Sequence, residues 1–217
     1  MTKKTFAIDD ALSLGWKTMK NNFWFFFIIL LILFGISGVF YLIINSLQKN
    51  GAFGLVFLFR IASYAVSTIL NIGLIAIALK FIGNEKPEIE DLFRSYKGRF
   101  WRFVGASLLY GLIVVGGLLL LIVPGIYWAI KFQFCTFLVV DQESRVTESL
   151  RRSSKITESQ RWHLLGFGLL LGLINIAGAL ALLIGLFVTI PLTMIGYTSV
   201  YRKLQQQTEM AQPQETA

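Results

Sequence analysis

Lys131 is the residue whose type and setting could do chemistry in this chain. It falls inside an apolar stretch, Ile126–Val140, and no carboxylate lies within any of the long apolar stretches to neutralise it. A lysine at mid-depth in hydrocarbon costs about 2.5–3.5 kcal/mol on insertion scales, so it has to reach a partner or an interface. Three arrangements would satisfy it: snorkelling towards a membrane face, hydrogen bonding to Asn71, Gln133 or Asn175, or holding a lipid phosphate or another anion. Catalytic patterns are missing. The sequence has no Cys/His pair for zinc, no Gly-rich Lys-Ser/Thr phosphate loop and no Gly-x-Ser-x-Gly elbow. His163, the single histidine, follows Trp162 and reads as a headgroup-level residue; Cys135, the single cysteine, reads as a small apolar filler and excludes a disulfide framework. Asp9, Asp10, Glu90, Asp91 and Glu148 stand near helix starts, where capping and the helix dipole account for them. No catalytic, cofactor-binding or metal-ligating residue is expected.

The elements that must carry Lys131 follow from composition. Of 217 residues, 55% are hydrophobic and 15% charged, whereas a soluble domain carries about 25% charge and about 45–50% apolar residues. There is too little polar surface to coat a soluble globule, so the expectation is an all-α polytopic membrane protein. A span needs about 20 apolar residues to cross about 30 Å of hydrocarbon. Phe23–Ile44, Gly54–Leu79, Phe103–Val123 and the shorter Ile126–Val140 supply four, with Pro124-Gly125 as the break between the last two. Trp162–Tyr201 is about 40 residues long, twice one span, and is expected to fold back near Gly185–Pro191, giving six spans. Gly168 with Gly172, and Ser107 with Gly111, are spaced for close helix packing.

Charge supplies the orientation. The net charge is +8. With six spans, Lys17 and Lys20, the run from Lys80 to Arg102, the run from Arg145 to Arg161, and Arg202 and Lys203 all fall on one side; only Lys49 and Arg60 fall on the other. The positive-inside rule then makes both termini cytoplasmic, and the basic excess requires no nucleic-acid partner.

Sliding the sequence on itself by 61 positions pairs Trp101 with Trp162, Gly105 with Gly166, Gly111 with Gly172 and Gly117 with Gly178. A fainter copy, offset by 138, pairs Asp10, Leu12, Lys17 and Trp24 with Glu148, Leu150, Lys155 and Trp162. The unit reads as an interfacial amphipathic helix, a Trp anchor (Trp24, Trp101, Trp162) and a helical hairpin, over approximate repeats 8–80, 88–140 and 145–203 within a membrane domain of 1–205. The amphipathic helices are expected at Ile8–Met19, Ile89–Phe100 and Thr147–Ser159, with Arg94, Lys97, Arg151 and Arg152 towards anionic lipid of the inner leaflet. A cytoplasmic tail, 206–217, is expected to be disordered.

Three stretches carry a resemblance: Leu119-Leu-Leu-Ile-Val-Pro-Gly-Ile-Tyr127; Val139-Val-Asp141 with Glu148-Ser-Leu-Arg-Arg-Ser-Ser-Lys-Ile-Thr157 and Trp162; and Pro191 with Tyr201-Arg-Lys203. Over residues 75–205 the chain resembles a family of uncharacterised bacterial multi-pass proteins related to the membrane domain joined to some glycerophosphodiester phosphodiesterases. Relatives show Pro-Gly after an aliphatic run, then a helix patterned acid, Ala-Leu, basic, Ser, Trp; here Ser149 stands for the usual Ala and Ser154 for the usual Trp. The resemblance implies a multi-pass helical fold and carries no catalytic activity, because it does not reach the soluble phosphodiesterase domain.

The reading that follows is a non-enzymatic protein of the bacterial cytoplasmic membrane. Its partners are expected to be anionic lipids, together with a second copy or another membrane protein. A small transporter or channel for an anionic or lipid-like solute is the alternative, with Lys131 in its path.

Overall fold

The structure, a computed structural model, describes residues 6–181 and 184–210. The described elements are helices: α1 (Ile8–Asn21), α2 (Phe23–Lys49), α3 (Phe53–Ile82), α4 (Asp91–Arg94), α5 (Phe100–Leu120), α6 (Ile122–Phe132), α7 (Cys135–Gln142), α8 (Val146–Thr157), α9 (Arg161–Leu180) and α10 (Leu186–Met210). Five segments are long and apolar enough to cross a membrane: α2, α3, α5, the α6–α7 pair and α9. The sixth expected span falls short. The apolar part of α10 ends where Arg202 begins the polar turns, so Leu186–Tyr201 reaches about 24 Å at helical rise, against about 30 Å of hydrocarbon. Beyond it α10 continues to Met210, into the stretch expected to be tail: Leu204 and Gln205, just before that stretch, are buried, and Thr208 and Glu209 within it bond back to them. The remaining tail residues, 211–217, lie outside the described residues.

The core gathers at one end of the bundle. Phe134, Leu138, Val139, Leu150, Ile156, Tyr201 and Leu204 are all buried there, where α7, α8 and the C-terminal half of α10 meet. Phe134 and Phe137 pack against Tyr197 and Tyr201 with ring centroids 5.1–5.5 Å apart. Away from this end the long helices expose their apolar side chains: Leu31, Leu108, Leu112, Leu169 and Leu173 are each more than half exposed. A monomer leaving so much contiguous apolar surface open needs lipid to cover it.

Three expectations are corrected. Pro124 and Gly125 do not break the chain; the break is at Leu121, the one extended residue between α5 and α6, and both lie inside the first turns of α6. Proline is tolerated there because the first helical N–H groups have no intrahelical partner. Pro191 is likewise inside α10 and buried, with the turn before it ending at Gly185. The middle amphipathic helix shrinks to α4. Ser95 Oγ donates to the Asp91 carbonyl oxygen at 2.7 Å, Arg99 Nη1 donates to the Ser95 carbonyl at 3.2 Å, and Gly98 adopts φ +74°, so the chain from Ser95 to Arg99 coils into turns. Leu92 of α4 is fully buried and its backbone presses on Gly73 of α3, where no Cβ would fit.

The α1 helix is packed rather than free. Its buried stripe is Ala11, Gly15 and Met19, and Gly15 sits against the Leu192 carbonyl of α10 with no room for a Cβ. Of Ile8, Leu12, Trp16 and Met19, which recur at helical spacing along α1, only Met19 is buried, and Trp16 is 51% exposed.

Candidate functional site

The fourth span is discontinuous, and the reason is local. Between α6 and α7 the residues Gln133 and Phe134 form a turn, so the last carbonyls of α6 lose their intrahelical donors. In an apolar layer such groups need partners from the protein. α8 supplies them. Ser153 Oγ accepts from the Phe134 N–H at 3.2 Å and donates to the Lys131 carbonyl oxygen at 3.1 Å. Thr157 Oγ1 lies 3.0 Å from the same carbonyl. Ser149, Ser153 and Thr157, four apart, form the fully buried polar face of α8. The helix expected to lie on the membrane surface therefore braces a broken span with its small hydroxyl residues and turns Thr147, Arg151, Arg152 and Lys155 outward.

Lys131 itself is half-buried at the end of α6, with Nζ 5.2 Å from the Phe132 ring centroid. The three expected partners are engaged elsewhere: Asn71 Nδ2 donates to the Ser67 carbonyl, Asn175 Nδ2 to Thr193 Oγ1, and Gln133 Oε1 accepts from Tyr197 O–H at 2.9 Å.

Two adjoining cavities open beside the break. One, of about 600 Å³, lies among α5, α6, α9 and α10. Its walls are apolar apart from Tyr110, Gln133 and Tyr197, and Gly168 and Gly172 face it with no atom within 4 Å of a Cβ built on either. The pair expected to pack helices leaves an open trough. Tyr110 O–H donates to the Ala129 carbonyl at 3.2 Å, and Gln133 Nε2 is buried without a partner. The second cavity, of about 580 Å³, shares Ile130 and Leu165 with the first and extends to Tyr127, Glu158, Arg161, Trp162 and His163. Arg161 lies over the Tyr127 ring, 4.7 Å from Cζ to the centroid, and donates from Nη1 to its hydroxyl; its Nε is buried without a partner. Tyr127 stands at the middle of α6 and Arg161 begins α9, so the start of α9 packs beside the middle of α6.

At the cationic end, Trp24, Trp101 and Trp162 are 72, 80 and 83% exposed near the starts of α2, α5 and α9. Of the four cations expected to meet lipid, Arg94 pairs with Glu90 at 2.7 Å and Arg152 with Glu148 at 2.6 Å. Arg151 is exposed and, with Arg152 and Lys155, rims a small polar cavity of about 240 Å³ against α10; Lys97 is also exposed. Structural ion pairs lie nearby: Lys80 with Asp91 at 2.7 Å and Arg202 with Asp141 at 2.8 Å. Burial raises the Asp91 carboxyl, but the Lys80 hydrogen bond, the Glu88 N–H and the charges of Lys80 and Arg94 outweigh it and hold its pKa below the usual value.

The sequence reading passed over Tyr127, Arg161, Tyr197 and Ser153 as site residues. A polar Gln133 in an apolar run and hydroxyls at 149, 153 and 157 were the signals available for the break. The contact between Tyr127 and Arg161 had none, because it depends on how two distant helices cross.

No curated protein and no solved structure matches the chain significantly. One family model does, over residues 53–216, from α3 to beyond the end of α10, and its description, Domain of unknown function (DUF7847), assigns no activity. The match takes in the α5–α6 turn, the broken span, the α8 brace and both cavities, and the chain belongs to that family.

Proposed function

We propose that the chain is a non-enzymatic, lipid-interacting protein of the bacterial cytoplasmic membrane that organises lipid around its cationic end. The supporting observation is the division of its surface. Three exposed tryptophans and the exposed cations of α4 and α8 stand beside the core end, while the apolar flanks of α2, α5 and α9 are open to the side. Tryptophan at headgroup depth together with lysine and arginine is the pattern that holds a helix bundle against an anionic leaflet. The unpaired Lys97 and Arg151 contribute about 1 kcal/mol each near such a surface, together about a thirtyfold preference for anionic lipid. Changing Arg94, Lys97, Arg151 and Arg152 to Gln is expected to remove most of that preference and flatten its salt dependence, read as lipid retained by the protein in native mass spectrometry. Unchanged selectivity sinks the reading.

The same reading gives α10 a membrane-crossing role, so that six spans leave both termini cytoplasmic. Single cysteines at Lys49 and Gln206 are then expected to label from opposite faces; native Cys135 is buried and gives little background. Labelling from one face overturns the six-span arrangement.

A transporter of anionic solutes draws on the broken span, since discontinuous helices mark many transport sites. The bracing of the break by Ser153 and Thr157 favours the lipid reading, because the freed backbone groups are spent on α8 rather than turned to a passage.

A further inference from the structure

We infer that the groove formed by the two joined cavities holds one phospholipid with an amine-bearing, zwitterionic headgroup; this rests on the lipid-interacting reading and names the ligand. The groove is continuous through Ile130 and Leu165. Among the described residues its two buried polar atoms without a partner, Arg161 Nε and Gln133 Nε2, are both donors. A buried donor without a partner is costly, so the occupant has to bring acceptor oxygens. Tyr127, which Arg161 covers, Ile130 and Gln133 follow one another at three-residue steps along α6 and into the turn after it, so the Arg161 contact and Gln133 lie about 9 Å apart along the helix axis. A phosphate on Arg161 and an ester carbonyl on Gln133 match that order, headgroup first and glycerol second.

Beyond Gln133 the walls become purely apolar. From Leu165 past Gly168 and Gly172 to Ile176 the trough runs about 16 Å along α9, with the two glycines leaving it open. An acyl chain fills such a trough, whereas a soluble anion leaves it empty. The headgroup choice comes from charge. The cavity around Arg161 also holds the carboxylate of Glu158 and the exposed faces of Trp162 and His163, and Arg161 and Glu158 do not pair with each other among the described residues. A phosphate on the guanidinium with an ammonium between Glu158 and the Trp162 ring satisfies both charges. A purely anionic headgroup would set a second negative group beside Glu158.

The test places the full chain in nanodiscs of phosphatidylethanolamine and phosphatidylglycerol, releases it, and identifies the bound lipid by native mass spectrometry. The unaltered protein is expected to keep one phosphatidylethanolamine. Arg161→Gln is expected to lower its occupancy at least about tenfold, the effect of losing a charge-assisted hydrogen bond. Glu158→Gln is expected to shift the bound species towards phosphatidylglycerol. Gly172→Phe is expected to fill the trough, where a Cβ meets nothing within 4 Å among the described residues, and to expel the lipid while the variant still unfolds in a single cooperative transition, which guards against misfolding of the Arg161 variant. Retention of phosphatidylglycerol alone with no response to Glu158→Gln, a bound fatty acid in place of a phospholipid, or a dimer that closes the trough overturns the inference. The outcome is separate from the broader reading: loss of anionic enrichment in the four-cation variant with no effect from the groove variants defeats this inference alone, and no effect from either set defeats both.

Discussion

Gly117→Val is expected to lower stability by about 3 kcal/mol, the upper end of what overpacking costs, and the unfolding temperature in detergent by about 6–12 °C. A Cβ at this position would lie 2.8 Å from the Gly125 Cα and 2.7 Å from the Trp128 ring. The first of these is backbone and cannot rotate away, and with only Leu121 between α5 and α6 the hairpin has no slack to widen. Gly178→Val should behave alike, because Gly178 and Gly185 make the matching contact between α9 and α10 and Thr189 closes it. Gly111→Val is the control: nothing lies within 4 Å of its Cβ, and its effect is expected to stay within about 0.5 kcal/mol. Equal unfolding temperatures for the Gly117 and Gly111 variants would show that the close hairpin is wrong.

That pair of glycines shows what sequence could and could not give. The offset of 61 aligned Gly117 with Gly178, and both are hairpin contacts in the structure. Their partners were not visible as such: Gly125 read as part of a break, and it is the surface on which α5 rests. Pro124 and Pro191 were read the same way and both lie inside helices: Pro124 is in the first turn of α6, where a proline costs no hydrogen bond, whereas Pro191 is the sixth residue of α10 and leaves the Phe187 carbonyl without its intrahelical donor. The apolar runs were legible because hydropathy over a whole span is a sum of many small preferences. The break at Gln133 was not, because it depends on a helix arriving later in the chain with hydroxyls at the right height. Periodicity suggested a full helix at Ile89–Phe100, but local hydrogen bonds from Ser95 and Arg99 and the positive φ of Gly98 outcompeted it. For Lys131, the sequence singled out the side-chain charge, whereas the atom that bonds to α8 is its backbone carbonyl.

Removing both hydroxyls, Ser153→Ala with Thr157→Val, is expected to cost about 2–6 kcal/mol, from two buried backbone groups left unsatisfied at about 1–3 kcal/mol each. The Lys131 carbonyl loses both of its hydroxyl partners and the Phe134 N–H loses its acceptor. The single changes should not add up to the double. Ser153→Ala alone leaves Thr157 on the Lys131 carbonyl and orphans only the Phe134 N–H, so it is expected to cost about half of the pair, whereas Thr157→Val alone leaves Ser153 on both groups and is expected to cost little; their sum falls short of the double. Ser154→Ala removes a hydroxyl that makes no bond to the break and should be nearly silent. Hydrogen exchange at the Phe134 amide reads the effect directly: its protection should fall in the Ser153 variant and stay in the Thr157 variant. An additive double variant, or an amide equally protected in all of them, would mean that the break is held by packing of Phe134 against Tyr197 and Tyr201 rather than by α8. The distinction reaches the groove, since Gln133 sits in the turn these bonds fix and owes the hydrogen bond it accepts from Tyr197 O–H to that position. If the hydroxyls hold the turn, the double variant should also lose the lipid placed on Gln133, and lose it before the bundle unfolds.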